Sequence, residues 1–311
     1  MANTIEKRPF GSSDEHVTVV GLGGSHLGDI SLNDGVATVH CALDMGITYI
    51  DTSPLYGPSQ MILGVALRSR PDGYVLATKV GHFRDTRHFR SVEAIHVQIG
   101  ENLRTLQRDS IGAFQVHEAD WRAWWTDELP HDEYVDPDQD YDFADSPVMQ
   151  ALNEAKAQGL CRFTGVTGNS ATETAHALRH VDVDAYLVAG HYDLIWRDIR
   201  RESLPLARER GVAMVLGGAL RGGMFASSQQ EVAESFPPDI RRRFERLYEL
   251  QRESGLSIAA LSVRYLMGDP DVTTMLIGPK SPAEVEENVI AAYDGPLPSD
   301  LHQEIEALGI P

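Results

Sequence analysis

Eight times along this chain a short run rich in β-branched residues is followed by a longer amphipathic stretch, and this alternation constrains the fold more than any other feature. The runs are Thr18–Leu22, Ile47–Asp51, Val75–Lys79, Ile111–His117, Phe163–Thr167, Ala185–Val188, Ala213–Leu216 and Thr274–Ile277. Strands alternating with helices are the signature of βα units on a parallel sheet. Helices are expected near Asn33–Met45, Ser59–Arg68, Val92–Leu106, Pro147–Gln158, Ala171–His180, Arg201–Arg210, Ile258–Met267 and Pro282–Ala292, several opened by a Ser, Thr or Asn. A small hairpin around Phe10–Val17 precedes them, and helices near Pro238–Ser254 and Asp300–Leu308 are extras.

Eight βα units predict a (β/α)₈ TIM barrel in the α/β class, and 311 residues fill one such barrel, so a single domain over residues 1–311 is expected. The rival is a doubly wound open sheet, suggested by Gly21-Leu22-Gly23-Gly24 after the first strand. The dinucleotide fingerprint needs a third glycine at position 26, where this chain has His26.

Composition narrows the function. Lys and Arg number 27 against 46 acids, a formal charge of −19, which argues against a nucleic-acid partner because a polyanion requires a basic face. No window reaches the ~18 apolar residues of a membrane span, and no apolar leader opens the chain, so a cytoplasmic protein is the default. The two cysteines, Cys41 and Cys161, have no spacing suggestive of a metal site or a disulfide framework. Oligomeric state is not legible.

In a barrel the C-terminal ends of the strands converge on one mouth, so reactive side chains should recur where strands stop. Asp51 ends the second strand in YIDTSPLYG, Tyr56 follows in its loop, Lys79 ends the third in LATKVG, and His117 ends the fourth in FQVHEAD. Each alone has an ordinary structural reading as a turn residue, loop packing, a solvated charge or a core histidine. Together they answer one another, because a lysine ending a buried strand must find an anion and a neighbouring strand-end aspartate supplies it. The set also suits hydride transfer to a carbonyl, which leaves an alkoxide to be protonated. A tyrosine of ordinary pKa ~10 is a poor acid near neutrality. On this reading Lys79 lowers the pKa of Tyr56, Asp51 holds Lys79, and His117 donates a hydrogen bond to the substrate oxygen.

The series GLGGSHLG, MGITYIDTSPLYG, ATKVG, QVHEAD and LIGPKSPAEVEENV resembles the aldo-keto reductase superfamily in content, order and spacing, over roughly residues 8–293. The likeness is greatest to the branch that includes aldose and pyridoxal dehydrogenases. It implies a catalytic tetrad on Asp51, Tyr56, Lys79 and His117, and a nicotinamide dinucleotide bound without a Rossmann fold. Implied cofactor contacts are Gly24, Ser25 and Asp51 at the first strands, and Thr167, Gly168 and Asn169 where the family usually has a Ser-Asn pair. Leu216 or Gly217 stands where an aromatic usually stacks on the nicotinamide, and Arg221 follows as a further cofactor contact. Ala189, ahead of Tyr192, replaces a usual glutamine. At the adenosine end Gly278, Lys280, Ser281, Glu284, Glu287 and Asn288 match the phosphate-and-adenine segment, although a capping box from Ser281 to Glu284 explains several of them without a ligand. Lys280 and Ser281 suit the 2′-phosphate of NADP(H), the cofactor expected on this reading, with NAD(H) the alternative that Glu284 would favour.

The stretch Ala119–Ser146 carries Trp121, Trp124 and Trp125, three of the chain's four tryptophans, and matches nothing in the family pattern. Starting at the barrel mouth, it is expected to give the substrate pocket a flat apolar wall, the alternative being that the tryptophans pin the loop to the barrel's outer helices. The resulting expectation is an NAD(P)-dependent oxidoreductase acting on a small sugar-like carbonyl or alcohol. The alternatives are a cofactor-binding regulatory barrel with little turnover, and an aldolase or isomerase using Lys79 as a Schiff base, which its pairing with Asp51 opposes.

Overall fold

The computed structural model describes residues 4–128, 133–225 and 235–310. Eight parallel strands close into a barrel: β3 (Val20–Gly23), β4 (Tyr49–Asp51), β5 (Val75–Val80), β6 (Ile111–Val116), β7 (Cys161–Gly168), β8 (Ala185–Ala189), β9 (Ala213–Gly217) and β10 (Thr274–Ile277). The last strand returns to the first, with Met275 opposite Val20 and Ile277 opposite Leu22. Each strand is followed by a helix of the outer ring, in order α1 (Leu32–Asp44), α2 (Ser59–Leu67), α3 (Val92–Leu106), α4 (Pro147–Ala157), α5 (Ala171–His180), α6 (Ser203–Arg210), α8 (Ile258–Leu266) and α9 (Pro282–Tyr293). The extra helices are α7 (Pro238–Ser254) and α10 (Ser299–Glu306). Serine punctuates the start of many of them: Ser31, Ser91, Ser146, Ser170, Ser257 and Ser281 each accept a backbone N–H of the first turn through the hydroxyl. No helix among the described residues is long and apolar enough to cross a membrane.

Two apolar cores result. The larger lies between the strands and the helical ring. The smaller fills the barrel itself with Val75, Ala77, Ala113, Ala185, Leu187, Ala213 and Val215, small residues suited to a narrow interior. Its floor is aromatic. The N-terminal hairpin pairs β1 (Lys7–Pro9) with β2 (His16–Thr18), and the expected span Phe10–Val17 is mostly its turn. Phe10, the apolar residue that marked the hairpin in the sequence, is no strand residue. It is buried beneath the barrel with its ring 5.7 Å from that of Tyr49 and 4.9 Å from that of Phe163. With the floor plugged, solvent and ligands reach the interior at the strand C-termini.

Candidate active site

The four strand-end residues meet at the mouth. Lys79, at the end of β5, is buried, and its ammonium donates to Asp51 Oδ1 at the end of β4 and to the Thr52 carbonyl at 2.9 Å. The other carboxylate oxygen of Asp51 accepts from Gln115 Nε2 at 2.9 Å. Two buried charges thus satisfy each other, with hydrogen bonds on their remaining lone pairs and protons. Tyr56 lies over this pair, its ring centroid 4.9 Å from Lys79 Nζ.

The electrostatics of Tyr56 correct one expectation. Lys79 does pull its pKa down, but burial is the stronger influence and Asp51 adds to it, so the phenol holds its proton more tightly than an ordinary tyrosine. Burial disfavours the charge on Lys79 too, yet attraction to Asp51 and Tyr56 prevails and raises its pKa, keeping it an ammonium.

His117 is neutral. Burial, Lys79 and His82 together push its pKa down to about 2. Its Nδ1 lies 3.1 Å from Ser53 Oγ, which already accepts the Leu55 N–H at 3.1 Å. A serine hydroxyl that donates to Nδ1 leaves the imidazole proton on Nε2, where it can be donated to a substrate oxygen. Ser53 and Gln115 escaped the sequence reading. Their signal was spacing: Ser53 lies two residues beyond Asp51, and Gln115 two before His117, the period that returns a strand side chain to the same face.

Beside the tetrad lies a cavity of about 610 Å³, with Asp51 and Tyr56 on its wall. Gly24, Ser25, Gly217, Gly278, Lys280, Glu284, Glu287 and Asn288 line it as expected, together with Ala189 and the Gly218–Gly223 loop. Its backbone is bare where a ligand would press. A side chain at Gly24 would strike Ser59 Oγ at 2.7 Å and Asp51 O at 2.8 Å, and Gly222 and Gly223, at φ +60° and +84°, have open space where a side chain would stand. Asn288 Oδ1 is a buried acceptor without a partner. A cavity walled by glycine backbone, with an unused amide oxygen on a residue of its lining, fits a dinucleotide.

Other expected contacts fall elsewhere. Leu216 faces the outer core, so of that pair only Gly217 reaches the cavity. Arg221 turns away, donating to Asp193 Oδ2 at 2.8 Å and to the Gly190 carbonyl, with its guanidinium 3.9 Å from the Trp196 ring. The buried carboxylate of Asp193 claims it. Ser281 Oγ caps α9, and Glu284 accepts the Lys280 backbone N–H at 2.8 Å. Thr167 Oγ1 accepts the Glu118 N–H at 3.2 Å, and Gly168 permits close packing of α5, since a side chain there would run into Thr174. Asn169 donates to Glu118 Oε1 at 2.8 Å.

The tryptophan wall is not formed as expected. Trp124 and Trp125 are fully buried, donating their indole N–H groups to the carbonyls of His117 (3.0 Å) and Ala119 (2.7 Å). Trp124 packs on Phe83 and Phe89, and Trp125 on Phe143. They buttress the end of β6 from behind. Trp121 is partly buried against the same core and bridges to Tyr134. Residues 129–132 of this insertion lie outside the described residues.

Asp120 sits beneath the mouth with no solvent exposure. Its Oδ2 accepts the N–H groups of Asn169 (2.8 Å) and Ser170 (2.9 Å) at the start of α5, while Oδ1 has no partner. Burial outweighs those hydrogen bonds and lifts its pKa from 3.8 to about 6. A carboxyl with a raised folded-state pKa binds extra protons in the folded protein, so stability falls as pH rises from about 4 to 6. The loss above pH 6 is about 3 kcal/mol, at about 1.4 kcal/mol per pH unit. Asp120→Asn keeps the acceptor and removes the charge. It should stabilise the protein by up to that amount at pH 8, with the gain vanishing below pH 4. Urea unfolding of both proteins at the two pH values measures it, and equal or lower stability of the variant at pH 8 contradicts the assignment.

The model for the Aldo/keto reductase family matches residues 19–310. The chain is 28% identical to an L-galactose dehydrogenase of Arabidopsis thaliana, an alignment covering 93% of this chain and 89% of that protein. It is 26% identical to a pyridoxal 4-dehydrogenase of Microbacterium luteolum, covering 98% of both. An aldo-keto reductase from Bacillus halodurans, solved in its holo form, superimposes with a TM-score of 0.76 at 24% identity, covering 98% of this chain and 96% of that one.

Proposed function

Since this chain belongs to the aldo/keto reductase family, we propose that this NAD(P)-dependent oxidoreductase interconverts the carbonyl and alcohol forms of a sugar or sugar-like substrate, with Tyr56 moving the proton. The observation that carries the reading is the buried Lys79–Asp51 pair under Tyr56, on the wall of a glycine-lined cavity. When bound there, the nicotinamide cofactor supplies or accepts the hydride. Gly24, Gly217 and Gly278 would hold its length, and Asn288 its adenine end.

The chain's own groups handle the proton. In reduction Tyr56, protonated at neutral pH, gives its proton to the forming alkoxide while His117 Nε2–H orients and stabilises the oxygen. In oxidation the direction reverses, and Tyr56 must first be the phenolate, which Lys79 favours. Because burial raises the tyrosine pKa, the phenolate fraction grows with pH across the neutral range, and oxidation should quicken as the solution becomes alkaline.

A sugar-like substrate is supported by the L-galactose dehydrogenase relative and by the polar mouth, where Glu118, His82 and Asn169 lie together. For the cofactor, Lys280 Nζ is half-exposed and 3.5 Å from Asp29, and Glu284 lies at the same end of the cavity. Two carboxylates beside one ammonium leave little attraction for a 2′-phosphate, and the preference proposed is NAD(H). Glu284→Gln should improve kcat/KM with NADP(H) relative to NAD(H) by about tenfold, the effect of removing one nearby like charge worth about 1.4 kcal/mol. A spectrophotometric screen of sugars and aldehydes, in both directions and with both nicotinamides, tests the reading. Absence of turnover throughout would overturn it, and faster NADP(H) reactions unaffected by Glu284→Gln would reverse the cofactor preference.

A further inference from the structure

Four described residues other than glycine have a left-handed backbone, and three of them, His82, Glu118 and Arg221, follow barrel strands at the mouth. Such a backbone is unfavourable for a residue with a side chain and persists where its surroundings impose it. Arg221 is held by Asp193. His82, at φ +56°, and Glu118, at φ +59°, serve no step described so far.

They face each other. Glu118 Oε1 accepts from Asn169 Nδ2 at 2.8 Å, and Oε2 lies 3.2 Å from His82 Nε2 without a hydrogen bond between them, while 17% of the side chain stays exposed. The His82 ring meets that of His117 edge-on at 4.4 Å. The charge of Glu118 is felt at Tyr56, where it helps the phenol keep its proton. The titratable groups around it are His82 and Lys79 from β5 and its loop, His117 and Asp120 from its own segment, Tyr56 from the β4 loop and Tyr134 from the insertion. None neutralises it: Lys79 is committed to Asp51, and burial together with Lys79 disfavours protonation of His82.

We propose that Glu118 is a specificity-determining residue, whose carboxylate accepts a substrate hydroxyl near the reacting carbon and rejects substrates carrying a carboxylate or phosphate there. The inference rests on the reaction centre assigned above to Tyr56. A hydroxyl-bearing neutral molecule gains a charge-assisted hydrogen bond, whereas an anion meets a like charge in a partly desolvated pocket.

The test compares kcat/KM for glyceraldehyde against glyceraldehyde 3-phosphate, and for butanal against 4-oxobutanoate, in the intact enzyme and in Glu118→Gln and Glu118→Asp. The glutamine keeps an acceptor for Asn169 and loses only the charge. The native enzyme should favour the neutral member of each pair by at least about tenfold, as one unit charge nearby implies. Glu118→Gln should erase most of that preference and move the pH profile of oxidation towards lower pH, because Tyr56 then loses its proton more readily. Glu118→Asp, with its charge restored, should regain the selectivity. A neutral-to-anionic ratio unchanged in Glu118→Gln would overturn the inference alone. So would a native preference for the anions, which would point to Arg84, a cation of the β5 loop with no carboxylate partner among the described residues. Failure of every aldehyde would remove the reaction assignment and the inference with it.

Discussion

Replacing Tyr56 with phenylalanine should lower kcat by about 10²–10⁴-fold in either direction, the usual contribution of a positioned acid or base. Cofactor affinity should stay close to that of the native protein. The hydroxyl is the only group removed, and the ring still packs edge-on to His117 at 5.9 Å and above the Lys79 ammonium. Turnover is followed by absorbance of the reduced nicotinamide, and cofactor binding by quenching of tryptophan fluorescence. A variant with nearly native kcat would mean that another group moves the proton. A variant that no longer binds cofactor would mean that the Tyr56 hydroxyl holds the cofactor rather than moving the proton.

The second large effect is on stability and catalysis together. Lys79→Met leaves the carboxyl of Asp51 without its cation and almost wholly enclosed, with Gln115 as its remaining side-chain partner. Breaking a buried pair in this way costs about 3–5 kcal/mol. Losing the ammonium also removes the influence that lowers the Tyr56 pKa, so the phenolate becomes scarcer and oxidation should suffer more than reduction. The double variant Asp51→Asn with Lys79→Met separates the two consequences. It should regain most of the stability lost in Lys79→Met, as measured by urea unfolding, and none of the turnover. Recovery of activity in the double variant would deny Lys79 any part in the reaction.

The barrel was legible because its signal repeats: all eight apolar runs became strands, with edges displaced by a residue or two. Asp51, Lys79 and His117 were legible for a related reason, since a charged or titratable group closing an apolar run stands out locally. What one sequence concealed was competition between distant partners. Nothing near Arg221 announces that Asp193, buried on another loop, will take its guanidinium. The tryptophans were read as a surface because aromatics on a loop at a mouth suit a ligand, but the carbonyls at the end of β6 needed donors and the indoles supplied them. The sign of the Tyr56 shift failed for the same reason. Its charged neighbours can be named from spacing, whereas the depth of its burial depends on everything folded around it.

The closure of the barrel bears on how the protein comes into being. One rim of the cavity, Gly24 to His26, follows the first barrel strand, and another, Gly278 to Lys280, follows the last, which zips against it. A chain leaving the ribosome therefore makes one jaw of this cavity with the first barrel strand and the other only after the eighth. A dinucleotide lying across that seam would act as a clasp on the newest joint, protecting it against reopening and against proteases that attack opened chains, with a strength that grows as the logarithm of its concentration over its dissociation constant.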